Sequence, residues 1–210
     1  VSLKACTSLI RYGMQFYVNS IITQIYTSGT NFIATTLLEP QLIGLLAIGQ
    51  KFGELLDKAI SSIQIPLYPL ISRSKDKNGL FKTIQVYKII LLTSLITTTI
   101  LALIIRPIIL ILYGKEFILA TYLFYIITPG LIIETSVLVL RSYCNGIGKA
   151  IISSYVSIIP MTIQILLSVF LIKNYGYIGA SFSIGFSKLL YGILFILWFI
   201  KYNQVEFKEI

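Results

Sequence analysis

Apolar runs of about twenty residues recur along this chain, and most of them carry a line of polar residues along one side. Crossing the hydrocarbon core as a helix takes about 20 predominantly apolar residues, so runs of this length and number define an integral membrane protein. A transmembrane barrel would instead show segments of about 10 residues that alternate apolar and polar, a pattern this sequence lacks. The balance of 56% hydrophobic to 12% charged residues leaves too little polar surface for a water-soluble domain.

The runs divide into six predicted spans within a single all-α membrane domain, residues 1–210: Leu9–Leu37, Leu42–Pro66, Phe81–Ile105, Ile118–Tyr143, Ala150–Ile172 and Tyr177–Tyr202. Pro66 and Pro69 end the second. The third is expected to stop at Arg106-Pro107, because a residue before proline resists the helical region. Pro129-Gly130 marks a kink in the fourth, and "NGIGK" and "KNYG" read as turns. Basic residues concentrate in alternate loops: Lys4, then Arg73, Lys75, Lys77 and Lys82, then Lys149, then Lys201 and Lys208. The opposite side carries Lys115 and Lys173, with Arg106 nearby. By the positive-inside rule both termini lie in the cytoplasm of a multi-pass protein of the cytoplasmic (inner) membrane.

The polar residues are sorted by face. At about 100° per residue, Arg11, Gln15, Asn19, Thr23 and Thr27 share one broad side of the first span, opposite Met14, Val18, Ile21, Ile25 and Phe32. In the second, Gln50, Glu54, Asp57, Ser61 and Gln64 follow helical spacing, flanked by Lys51 and Lys58. Glu54 can pair with Lys51 at i−3 or Lys58 at i+4. A charge at mid-membrane costs about 2.5–3.5 kcal/mol even on the lenient insertion scale, so these groups are expected to face one another or water. The fourth span has Glu134, Arg141 and Asn145; the fifth Ser153, Ser157, Gln164 and Ser168; the sixth Lys188, with Gly179, Ser183 and Ser187 spaced for close helix packing. Together the stripes predict a hydrated, net basic cavity between helices, which attracts anions and phosphates above all. The blander readings are that the serine and glycine rows pack helices, that Lys88, Arg106, Lys149 and Lys201 snorkel, that Arg11 and Arg141 anchor span ends, and that Asp57 and Lys58 form a structural pair.

Other function classes fall away. With no histidine, the usual nucleophile–base pairs and the commonest metal ligand are missing, so no enzyme, metal or cofactor is expected. Cys6 and Cys144 form no paired motif. The basic residues are spread over separate loops, which argues against a nucleic-acid partner. The chain opens on Val1 without a cleavable signal pattern, so a fragment is expected.

Four strings carry a family resemblance: "IGLLAIGQKFGELLDKAISSIQIPLYPLISR" (43–73), "YGKEFILATYLFYIITPGLI" (113–132), "SYCNGIGKAIIS" (142–153) and "LIKNYGYIGASFS" (171–183). In order and spacing they resemble the second lobe, helices seven to twelve, of the polysaccharide (O-antigen-type) lipid-linked oligosaccharide flippases, members of the multidrug/oligosaccharidyl-lipid/polysaccharide exporter superfamily. Ala150 follows Lys149 where that family often has proline. The resemblance implies about six transmembrane helices forming one lobe of a two-lobed transporter, with an amino-terminal lobe or a second subunit as partner. It implies that an undecaprenyl-pyrophosphate-linked oligosaccharide is turned between leaflets by alternating access, for cell-surface polysaccharide biosynthesis. By that analogy Arg11 and Lys51, with Arg141 and Lys188 behind them, hold the pyrophosphate; Gln15, Asn19 and Gln64 meet sugar hydroxyls; and Glu54, Asp57, Lys58 and Glu134 form ion pairs or bind a coupling ion. The alternatives are a lipid II flippase, a multidrug extruder whose cationic substrates favour an acidic or aromatic cavity, and a half-transporter that transports nothing.

Overall fold

The computed structural model describes residues 3–64, 77–146 and 151–203; the side chains of residues 3–12, 15, 16, 19, 63, 64, 77 and 78 lie outside that description. Every regular element within it is helical: α1 (Leu3–Leu37), α2 (Pro40–Gln64), α3 (Lys77–Leu112), a 3₁₀ turn (Lys115–Phe117), α4 (Ala120–Gly146) and α5 (Ile151–Asn203). The expected break at Pro66 and Pro69 falls outside the described residues. α3 does not stop at Arg106-Pro107 but continues through the proline to Leu112; neighbouring helices can accommodate an intramembrane proline. α4 likewise remains one helix through Pro129-Gly130.

α5 is two rods. Gly176 sits at φ 58° and ψ −136°, a conformation open to glycine and strained for other residues. The chain folds back there. Ser168 Oγ lies 2.9 Å from Ser183 Oγ, and Ser187 Oγ donates to the Pro160 carbonyl at 3.0 Å, so the arms 151–175 and 177–203 are antiparallel neighbours. The two spans expected there are these arms.

Six spans are nevertheless not supported. Among the described residues three helices, α3, the 3₁₀–α4 segment and α5, are long and apolar enough to cross a membrane. α1 and α2 are long enough but too polar, α2 because Lys51, Glu54, Asp57 and Lys58 fall within eight residues.

α4 is the hub. It packs against α5, α3 and α2, while α1 lies mainly on α5 and scarcely touches α2. Thr30 meets Ser168 and Gly29 meets Ile165, so α1 runs parallel to the first arm of α5. Gly130 meets Gly185 and Ile133 meets Gly192, so α4 runs parallel to the second arm. Small residues let these two backbones touch, as membrane helices require when lipid is as apolar as leucine.

The interior is layered. One apolar cluster holds Leu46, Ile105, Ile109, Phe124, Ile172 and Ala180, near the turns at 38–39, 113–119 and 176. A second holds Ile60, Ile84, Ile90, Leu140, Phe195 and Phe199, towards the other end. Between them lies a polar layer, in which Ser94 faces Ser136 at 3.3 Å and Ser168 joins Thr30 to Ser183.

Candidate functional site

The polar layer opens into a cleft where α1 and α2 part. A cavity of about 110 Å³, room for several waters, is lined by Tyr26 and Thr27 of α1, Gln50, Gly53, Glu54 and Asp57 of α2, Ile127 and Leu131 of α4, and Gln164, Ile184 and Lys188 of α5. Each helix presents its polar groups there for a local reason. On α2, Gln50, Gly53, Glu54 and Asp57 fall on one side by 3.6-residue periodicity. On the second arm of α5, Gly185 and Gly192 bring α4 close enough for Lys188 to reach Glu134.

Three charges from three helices converge on this cleft. Lys188 Nζ donates to Glu134 Oε2 across α5 and α4. The same ammonium lies 3.9 Å from Asp57 Oδ2 on α2. The Lys188 and Glu134 side chains are 17% and 15% exposed, and Asp57, at 32%, is the member open to the cavity. Nearer the surface Lys51 Nζ meets Glu54 Oε2 at 3.1 Å, both more than half exposed.

A hydrogen-bonded ladder forms the wall on the α1 side. Gln164 Nε2 donates to the Tyr26 carbonyl (3.1 Å) and to Thr30 Oγ1 (2.8 Å), and Thr30 Oγ1 lies 2.8 Å from Ser168 Oγ. Asn31 and Gln50 exchange amide hydrogen bonds of 3.0 and 2.8 Å, the polar clasp between α1 and α2. Gln164→Leu should therefore loosen α1, costing about 0.6 kcal/mol, the measured average for hydrogen bonds between membrane helices, and at most about 1.7 kcal/mol. Thermal unfolding of the solubilised variant checks this; an unchanged midpoint would mean the ladder does not hold α1.

The profile of one family, described as polysaccharide biosynthesis protein, matches residues 1–121, more than half of the chain. The chain belongs to that family. No curated protein and no solved structure matches it. The matched region includes α1, α2 and α3 whole, and so the α1 and α2 walls of the cleft.

The structure brings together some of the residues singled out in the sequence and disperses others. Lys188, Glu134 and Asp57 form one cluster, and Glu54 pairs with Lys51 rather than with Lys58, which is exposed. Arg141 is half-buried and near Tyr191, away from the cavity lining. The side chains of Arg11, Gln15, Asn19 and Gln64 lie outside the described residues. Among the described side chains the cleft is not net basic: Glu54, Asp57 and Glu134 outnumber Lys51 and Lys188, and Lys188, read as an anion-binding cation, has its charge met by two carboxylates. Sequence reading missed Tyr26 and Asn31. Nothing in the sequence separates Tyr26 from the chain's other tyrosines, and Asn31 is identified only by its distant partner Gln50.

Proposed function

We propose that the chain is one lobe of a transporter that moves a lipid-linked oligosaccharide across the cytoplasmic membrane during polysaccharide biosynthesis, by alternating access. Family membership supports the pathway. The cleft supports transport: a charged recess with room for water midway along the rods, between two helices that scarcely touch, suits a site near the bilayer midplane at which halves of a transporter rock. In this reading the polar faces of α1 and α2 look onto a second lobe rather than lipid, which lets all six rods reside in the membrane. Exposed Lys51 offers the substrate phosphate a point charge, and Arg11 a fork. The surplus of carboxylates beside Tyr26 favours one second reading, an extruder of organic cations.

Complementation separates the two. In cells lacking their polysaccharide flippase, this chain together with a complementary lobe should restore surface glycan, and Lys51→Ala should reduce it several-fold at equal membrane abundance. Efflux of a cationic dye without glycan rescue would replace the first reading with the second.

Orientation follows from charge. The ends bearing Lys82 and Lys201 face the cytoplasm, and the turn at Lys173 and Asn174 faces outward. Cysteines at Asn174 and Lys201 should show opposite accessibility to an impermeant thiol reagent in intact cells. Labelling of Lys201→Cys from outside would reverse the topology.

A further inference from the structure

α2 is tied to α1 at one level. Among the described residues, the reciprocal amide bonds of Asn31 and Gln50 are the side-chain hydrogen bonds that join the two helices. The seam differs on the two sides of that pair. Towards the turn at 38–39 it is dry: Ala34 and Leu46 are buried, and Leu38, Leu42 and Leu45 pack in the same apolar cluster. Towards the other end it parts into the cleft, whose lining includes Gln50 itself, Thr27 one turn from Asn31, and Gly53, Glu54 and Asp57 further along α2. The clasp is the boundary between a closed seam and an open one.

The same level is where α2 can turn. Gly49 lies against α4, where a Cβ would sit 3.1 Å from Leu123 Cβ and 3.2 Å from the Ala120 carbonyl oxygen, and Gly53 faces Leu131 one turn on. At those two positions α2 has no side chain to interlock with the ridges of α4. A close, smooth backbone contact on one side and a two-bond clasp on the other make positions 49 and 50 a fulcrum. Both members of the clasp are neutral amides. Parting them leaves polar groups that entering water can satisfy, and it uncovers no charge.

We propose that the Asn31–Gln50 pair is an outer latch on the cleft, an inference that rests on the transporter reading and on the outward orientation of the turn at 38–39. Paired, it holds α1 and α2 together beyond the charged residues and closes the cleft to the outer side. Parted, it lets α2 tilt about Gly49 and admits water from that side. The closure lies within one lobe, and is separate from the rocking of two lobes against each other.

The test reads access to the cleft and not export, so it can fail independently of the transport reading. In a chain whose own cysteines are replaced by serine, Thr27→Cys places a thiol in the cleft just inside the clasp. Intact cells are treated with an impermeant thiol reagent, and labelling is normalised to that of Asn174→Cys. Thr27→Cys should label slowly. Asn31→Ala or Gln50→Ala should speed labelling about sevenfold, the change in a closed-to-open equilibrium that two membrane-helix hydrogen bonds of average strength represent. The exchanged pair, Asn31→Gln with Gln50→Asn, keeps both amides and their combined length, and should restore the slow rate. Where an alanine variant does not reach the membrane, Asn31→Ser, polar but too short to hold both bonds, takes its place with the same expectation. Fast labelling of Thr27→Cys with the clasp intact overturns the proposal, as does an unchanged rate in the clasp variants. Faster labelling that the exchanged pair does not reverse assigns Asn31 and Gln50 to packing and overturns the latch.

Discussion

Lys188→Met should lower the stability of the solubilised protein by about 3–5 kcal/mol, the usual cost of breaking a buried ion pair from one side. The substitution keeps the unbranched stem and removes only the terminal ammonium position, so packing against α4 changes little, and the loss is mainly electrostatic. Glu134 and Asp57 would then face each other as like charges with no cation between them. The triple variant Lys188→Met, Glu134→Gln, Asp57→Asn should regain most of the loss, because a neutral, well-packed replacement of a buried pair is often as stable as the original. Equilibrium unfolding of the three proteins decides the matter. If the triple variant is less stable than Lys188→Met alone, the cluster acts through packing and its charges are incidental.

Gly130→Ala is expected to be the most damaging change of a single methyl group, at about 3 kcal/mol or more. A Cβ there would sit 2.0 Å from the Gly185 carbonyl oxygen and 2.9 Å from Lys188 Cβ. Neither neighbour can swing aside as a flexible side-chain tip does, since one is backbone and the other is held at a close helix contact. α4 and the second arm of α5 would have to separate, which also pulls Lys188 away from Glu134. The control is Gly13→Ala, where nothing lies within 4 Å of the added carbon; there alanine should be neutral or stabilising by up to about 1 kcal/mol, because glycine is a poor helix former. Equal effects at the two positions would show that helix propensity, not close approach, sets the outcome.

Much of the helical layout was legible in the sequence because it rests on local signals. The turn read at "KNYG" lies where glycine permits positive φ, at Gly176. The spacing of Gln50, Glu54 and Asp57 on one side of α2 follows from 3.6-residue periodicity. What escaped depends on neighbours. Pro107 reads as a stop, yet α3 continues past it. The basic character expected of the cavity came from counting lysines and arginines on polar faces; which carboxylate each one meets is a property of helix register, and Lys188 finds its partners 54 and 131 positions away. Gln164, recognised as polar, gave no hint that its partners are Thr30 and the Tyr26 backbone, over a hundred residues earlier.

That long-range pairing bears on how the protein is made. α1 leaves the ribosome before α5, is too polar to be held by lipid alone, and finds its polar partner, the Gln164 and Ser168 side of α5, only after more than a hundred further residues have been made. An earlier helix is thus settled by a later one. Until α5 arrives, α1 and α2 need a temporary host at the insertion site, an insertase or a companion set of helices. Assembly in the bilayer then runs against the order of translation, with the apolar α3, α4 and α5 forming the frame into which the two polar helices are drawn.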